Sequence, residues 1–152
     1  MQWKEVLRYL WHSAPVSVRR LLIWFAEPRF AVSVVGVVLD EQGRVLLLKH
    51  LFRKGSGWGL PGGFLETGEH PENALRRELR EEVALELGDA KIFLAQTIKA
   101  RRHVEIIYRC TPHGTAAPRS NEIESLAWFH PTNLPPDLSR AQHRIIHQAL
   151  EA

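Results

Sequence analysis

The spacing of apolar residues changes character along the chain. In residues 3–30, WKEVLRYLW and VRRLLIWFAEPRF mix Trp, Leu and Val with Arg and Lys in helix-like stretches. Pro15 breaks one stretch from the other, and Pro28 closes the section. Residues 1–30 are therefore expected to form a helical extension that packs on the rest of the chain or on a second copy. Residues 32–39 are almost wholly apolar and β-branched, the pattern of a strand covered on both faces. Asp40-Glu41-Gln42-Gly43 reads as a turn, and Val45–His50 as the returning strand. Residues 53–59, RKGSGWG, read as a loop.

The helical period returns beyond Gly62 and Gly63. Leu75, Leu79 and Val83 recur at i, i+4 and i+8 as one apolar stripe. Pro71 is a favoured first helical residue, and Glu72 suits the positive end of the helix dipole. His70 is a poor N-cap, so the helix entry is expected to rest on other contacts. Residues 91–99 and 103–110 read as a strand pair, 111–121 as a loop and Ile123–Phe129 as another strand. A closing helix follows Pro135-Pro136, over residues 139–150. Short strands around two main helices predict an α+β domain over residues 31–152. The simplest such arrangement is an α/β/α sandwich on a mixed sheet.

Composition narrows the possibilities. The chain is 45% hydrophobic and 24% charged, and it contains no apolar run of transmembrane length. The first residues carry charges throughout and lack the apolar core of a signal peptide. Cys110, the single cysteine, has no intramolecular partner for a disulfide, which makes the cytoplasm the default compartment. A net charge of +3 with dispersed basic residues is too small for a nucleic-acid-binding surface. Arg101 and Arg102 could still meet the outer phosphate of a small substrate.

Chemistry concentrates on the first helix of the domain. At about 100° per residue, Glu78, Glu81 and Glu82 share an arc roughly 100° wide beside the apolar stripe. Glu78 and Glu82 are like charges one turn apart, a repulsion that a bound cation would convert into coordination. Carboxylates without Cys or His nearby suit a hard divalent ion, Mg²⁺ or Mn²⁺. Glu78 and Glu82 can clamp one ion. Glu81 can hold a second ion or deprotonate a water. Gly63 has no side chain, so its carbonyl can approach a metal closely. A run of Glu and Arg such as this is often only a solvated face, and Glu72 with Arg76 looks like that kind of pair.

Gly63, Glu69 and the run Arg77-Glu78-Leu79-Arg80-Glu81-Glu82-Val83-Ala84-Leu85 resemble the Nudix box, G-x5-E-x7-R-E-U-x-E-E-x-G-U, where U is aliphatic. Ala84 stands where the family has Gly, so the helix ends there in a strained residue or runs on to Gly88. The resemblance extends from Val32 onward, through VVGVVLDEQGRVLLLKH, GWGLPGG and EIESLAWFHPTNLP. It implies the Nudix sandwich fold, with Gly63, Glu78, Glu81 and Glu82 as metal ligands. Glu69 and Arg77 match the pair that orients loop against helix. Glu81, Glu82 and Glu122 are the candidate catalytic carboxylates, Glu122 because an acid in this region often joins the family's site. Trp58 is a candidate for stacking on a base, although the sequence favours a packing role for it.

The function this implies is Mg²⁺-dependent hydrolysis of a nucleoside diphosphate linked to a group X, such as an NDP-sugar, a CDP-alcohol or ADP-ribose. The rival substrate class is a (d)NTP or oxidised nucleotide cleaved in the manner of MutT. A non-catalytic nucleotide-binding module is the alternative of another class, and the intact set of glutamates argues against it. An RNA 5′-end hydrolase would need a broader basic groove. Residues 1–30 could instead serve homodimerisation, scaffolding, an interfacial membrane contact or a lid over the substrate. GSGWGLPGG lacks the G-K-[ST] ending of a P-loop. His103, His113 and His143 have no spacing partners, and Cys110 reads as a small buried residue.

Overall fold

The computed structural model describes residues 3–52, 57–98 and 102–151. Its contacts divide the chain into two units, Met1–Phe30 and Ala31–Ala152. In the first, helix α1 (Trp3–Ser13) and helix α2 (Val16–Ala26) flank the predicted break at Pro15, and neither helix buries a residue.

The second unit runs β1 (Ala31–Val38), β2 (Val45–His50), β3 (Trp58–Gly59), β4 (Gly62–Phe64), α3 (Pro71–Val83), β5 (Glu86–Ile98), β6 (His103–His113), β7 (Ile123–Phe129) and α4 (Arg140–Glu151). Four strands form a mixed sheet in the order β4-β1-β6-β5, with β1 and β6 parallel. Three more form an antiparallel sheet in the order β3-β2-β7.

Strand alternation explains the long apolar runs. Val34, Val38, Leu46 and Leu48 pack with Ala74, Leu75, Leu79 and Val83 of α3. Their neighbours Val37, Val45 and Leu47 pack with Ile145, Ile146 and Ala149 of α4. Each strand thus feeds two cores, one under each helix, which gives the expected α/β/α sandwich. Full burial of each Leu or Val of the α3 stripe contributes about 1.5–3 kcal/mol, so the same face that makes α3 a helix also fixes where its acids point.

Several local expectations need correction. The returning strand does not form a hairpin with β1. A single bridge, Leu39 to Val45, links the two runs before β2 enters the other sheet and pairs with β7. The predicted loop over 53–59 contains β3 at Trp58–Gly59, and residues 53–56 lie outside the described residues. Strand β5 starts at Glu86 rather than 91, because irregular register between Leu87 and Ala90 absorbs the Gly88 and Asp89 interruption. Strand β6 continues to His113.

His70 does cap α3, its ring nitrogen accepting from the Glu72 N–H at 3.4 Å. At the other end the helix stops at Val83, with Ala84 left-handed at φ 53° and ψ 26°. The Ala84 N–H reaches the Arg80 carbonyl at 3.2 Å, and Leu85 N–H reaches that of Leu79 at 3.2 Å. No helix among the described residues is long and apolar enough to cross a membrane.

Candidate active site

The site begins where β4 passes β1. Gly62 has φ +148°, and a Cβ there would strike the Val34 carbonyl, so only glycine lets the strands approach this closely. At Gly63 a Cβ would occupy the space of the Glu78 carboxylate. The β4 backbone and the helix acid are thus in direct apposition.

Arg77 locks that apposition. Its Nε and Nη2 donate to the two oxygens of Glu69 at 3.0 and 3.1 Å, a bidentate pair. Nη2 also donates to the Phe64 carbonyl at 3.1 Å, and Nη1 to Glu78 at 3.0 Å. A longer contact of 3.4 Å runs from Nη1 to Glu81. Glu69 accepts the Glu66 N–H at 3.1 Å as well. The Arg77 hydrogen bonds, followed by that backbone donor, hold the Glu69 carboxyl below its ordinary range. In return, the Glu69 hydrogen bond raises the Arg77 pKa further. One guanidinium therefore joins the loop after β4, the turn before α3 and the acid face of the helix.

The three helix acids are not equivalent. Glu78 and Glu82 are half-buried, with side chains 18% and 15% exposed, whereas Glu81 is 62% exposed. Glu82 Oε1 lies 4.0 Å from His50 Nδ1. His50 escaped the sequence reading. Alternation along β2 was the available signal, since it places His50 on the α3 side with Leu46 and Leu48. The carbonyl of Glu82 accepts from the N–H groups of Arg119 and Ser120, at 2.9 and 3.2 Å.

That loop carries Glu122 to the same end of α3. The Glu122 N–H donates to Ser120 Oγ at 3.2 Å, and its carbonyl accepts from Leu51, next to His50, at 2.9 Å. Glu124 instead pairs with Lys49 at 3.0 Å on the surface. Glu72 and Arg76 form the expected surface pair at 2.9 Å.

The proposed substrate contacts are more scattered. Arg101 lies outside the described residues. Arg102 is an exposed turn residue with φ 46° whose carbonyl accepts the Ala31 N–H at 3.0 Å. Next to it, the His103 ring donates to or accepts from Ser33 Oγ at 2.7 Å and lies 5.4 Å from the Phe64 ring. Trp58 meets Phe129 edge-on at 5.1 Å, beside the α4-side core. Cys110 is buried, which pushes its thiol up to about 12 and leaves it a packing residue.

A divalent cation fits the chemistry of this donor set, which offers carboxylate oxygens beside the Gly63 backbone, where a Cβ would meet the Glu78 carboxylate. Among the described residues, no three acidic, His or Cys side chains converge as a metal group. Glu78 faces Arg77 at 3.0 Å and Glu82 faces His50 at 4.0 Å.

Comparison with known proteins agrees with this architecture. A family model described as the NUDIX domain matches residues 29–150, and the chain belongs to that family. A MutT-like protein of Streptomyces ambofaciens is 35% identical over 107 residues, 70% of this chain and 68% of that one. The 8-oxo-dGDP phosphatase of Homo sapiens is 34% identical over 139 residues, which are 88% of this chain but only 40% of the human protein. Among solved structures, the MutT NUDIX hydrolase of Burkholderia pseudomallei superposes with a TM-score of 0.70 at 28% identity, covering 80% of this chain and 98% of that one. Membership of this family makes the chain a hydrolase that acts on phosphorus-containing anhydrides.

Proposed function

We propose that the chain uses Mg²⁺, with Mn²⁺ as a substitute, to hydrolyse a phosphoanhydride bond of a small nucleotide at the junction of β4 and α3. The observation that carries this reading is the Gly63–Glu78 apposition, clamped by Arg77 and Glu69. Glu78, Glu82 and the Gly63 carbonyl would hold the cation, with Glu81 available to a second one. When bound, the metal offsets phosphate charge and makes a coordinated water more acidic.

The chain's own residues do the rest. Arg77 and Glu69 fix the loop so that the Gly63 carbonyl stays where a ligand is needed. Glu81 and Glu122 are the candidates to take the proton of the attacking water, Glu81 because it is open to solvent and Glu122 because its loop is bonded to the end of α3. The water oxygen bonds to phosphorus as the bridging P–O bond breaks, and a nucleoside monophosphate leaves with phosphate or pyrophosphate.

The sequence resemblance by itself favours a nucleoside diphosphate linked to X. The MutT-like and 8-oxo-dGDP phosphatase relatives favour the other substrate class, an oxidised or normal nucleoside di- or triphosphate. The test is product release from oxidised and normal nucleotides, NDP-sugars, CDP-alcohols and ADP-ribose, with Mg²⁺, with Mn²⁺ and with chelator. Preference for oxidised guanine nucleotides supports this reading, and preference for ADP-ribose or NDP-sugars restores the first. Glu82→Gln removes one charge at nearly constant volume and should lower turnover by at least about 100-fold. Unchanged turnover in that variant would remove Glu82 from the site. No metal-dependent turnover of any substrate would point to a binding module.

A further inference from the structure

The chain's net positive charge lies entirely in its first unit. Of the 20 Lys and Arg and 17 Asp and Glu, residues 1–30 hold Lys4, Arg8, Arg19, Arg20 and Arg29 against only Glu5 and Glu27. Residues 31–152 therefore carry fifteen of each sign, and the overall +3 belongs to the helical unit.

The same unit presents most of the large apolar side chains exposed on the molecule. Trp3, Leu7, Leu10, Leu21, Trp24 and Phe25 are all at least 53% exposed. Contiguous exposed apolar faces rimmed by charge mark interaction sites. On α1, at about 100° per residue, Trp3, Val6, Leu7, Leu10 and Trp11 fall within an arc roughly 140° wide. Lys4, Arg8 and His12 follow directly along one flank of that arc. On α2, Leu21, Leu22 and Phe25 share a face, and Arg19 and Arg20 stand off it. Arg29 lies over the Trp24 ring at 3.4 Å from its centroid, a cation held against an aromatic surface.

We infer that α1 and α2 form a peripheral docking element for an anionic lipid surface. Such a surface offers an apolar layer for Trp, Leu and Phe and negative headgroups for the adjoining Lys and Arg. A second copy of the unit satisfies only the apolar half of this pattern, because it brings the same positive charge to the contact. At 11 residues each, the helices are too short to span a bilayer, so the contact is interfacial. This inference is independent of which nucleotide the domain cleaves.

The test uses the full chain with vesicles of phosphatidylcholine alone or mixed with phosphatidylglycerol, read by co-sedimentation and by the tryptophan emission shift. Binding should be at least about tenfold stronger to the anionic vesicles and should weaken as salt rises. Leu7→Glu with Leu10→Glu should abolish it. A second variant, Lys4→Gln with Arg8→Gln, Arg19→Gln and Arg20→Gln, keeps the apolar face and should lower binding to the level on neutral vesicles. In both variants the thermal transition of the Ala31–Ala152 unit should stay in place. Equal binding to neutral and anionic vesicles would overturn the proposal. So would a concentration-dependent dimer that ignores vesicles and dissolves on Leu7→Glu with Leu10→Glu, which would assign the face to a second copy.

Discussion

Arg77 binds Glu69 through two parallel hydrogen bonds of 3.0 and 3.1 Å across eight residues of sequence. Because the same guanidinium reaches the Phe64 carbonyl and Glu78, the pair sets the distance between loop and helix. A lysine offers a point charge and cannot reproduce this planar fork. Arg77→Lys should therefore leave the circular dichroism spectrum unchanged and reduce turnover about 10- to 100-fold. Glu69→Gln should act in the same direction, and the double variant should lose little more than either single one, since both remove one unit. Additive losses would show that the two residues act separately.

The pair also predicts an acid limb of stability. The folded-state pKa of Glu69 is lowered from 4.5, so its ionised form contributes stability fully present above that value. The contribution is lost as pH falls through the lowered folded pKa, where the carboxyl must be protonated against Arg77. Urea unfolding followed from neutral to strongly acidic pH should show a midpoint that falls below pH 4.5. In Glu69→Gln the midpoint should start lower at neutral pH and fall less steeply. Parallel curves for the two proteins would remove Glu69 as the source of the limb.

Gly63→Ala tests the apposition with Glu78. The backbone at Gly63 needs no left-handed conformation, so alanine is allowed by φ and ψ and excluded only by the carboxylate it would meet. The Glu78 side chain can swing away, which keeps the fold and displaces a proposed ligand. Turnover should fall by at least about 100-fold while the melting temperature moves by no more than about 4 °C, the equivalent of roughly 1 kcal/mol. A large loss of stability with normal turnover in the residual folded fraction would make Gly63 a packing residue alone.

What the sequence reveals is what short-range periodicity carries. Leu75, Leu79 and Val83 are all fully buried because their helical spacing alone defines one face. The limits of β2 are likewise readable from a contiguous apolar run ending at Lys49 and His50, and β7 from its apolar stretch up to Phe129. Long-range pairing was not readable. Val45 meets Phe129 through a register set by two cores, and no local signal in the 40–50 turn says that β2 leaves β1 for another sheet. The acids show the same divide. Their common arc followed from spacing, but only packing against β2 and the loop before β7 makes Glu82 half-buried near His50 and leaves Glu81 in solvent. The His70 cap depends on a side-chain rotamer and ring tautomer that composition does not encode.

Cys110 offers a check on the α3-side core. The residue is 2% exposed, and burial raises the thiol pKa to about 12, so the reactive thiolate is absent at neutral pH. A thiol reagent such as dithionitrobenzoate should react with the native chain only as fast as the domain opens, and at once in denaturant. Cys110→Ala should retain turnover and lose about 1 kcal/mol of stability through the volume removed. Rapid native labelling would mean that β6 and α3 separate readily.

Ala84 supplies the sharpest test of backbone strain. It holds φ 53° and ψ 26°, a left-handed conformation that costs an alanine about 1–2 kcal/mol through the approach of Cβ to its own carbonyl. The chain accepts that cost because Leu79 and Val83 must stay buried while Leu85 turns back into the same core, so the helix has to stop here. Ala84→Gly relieves the strain but adds about 0.5–1 kcal/mol of chain entropy to the unfolded state. The difference leaves a net gain of up to about 1.5 kcal/mol, or a rise of up to roughly 6 °C in melting temperature. Ala84→Val should move the melt in the opposite direction, since a β-branched residue tolerates this region least. Because the last turn presents Glu82 and accepts the Arg119 and Ser120 amides, the glycine variant should keep its turnover if the helix end is already in its working geometry. A lower melting temperature for Ala84→Gly would show that the left-handed end carries no strain to release.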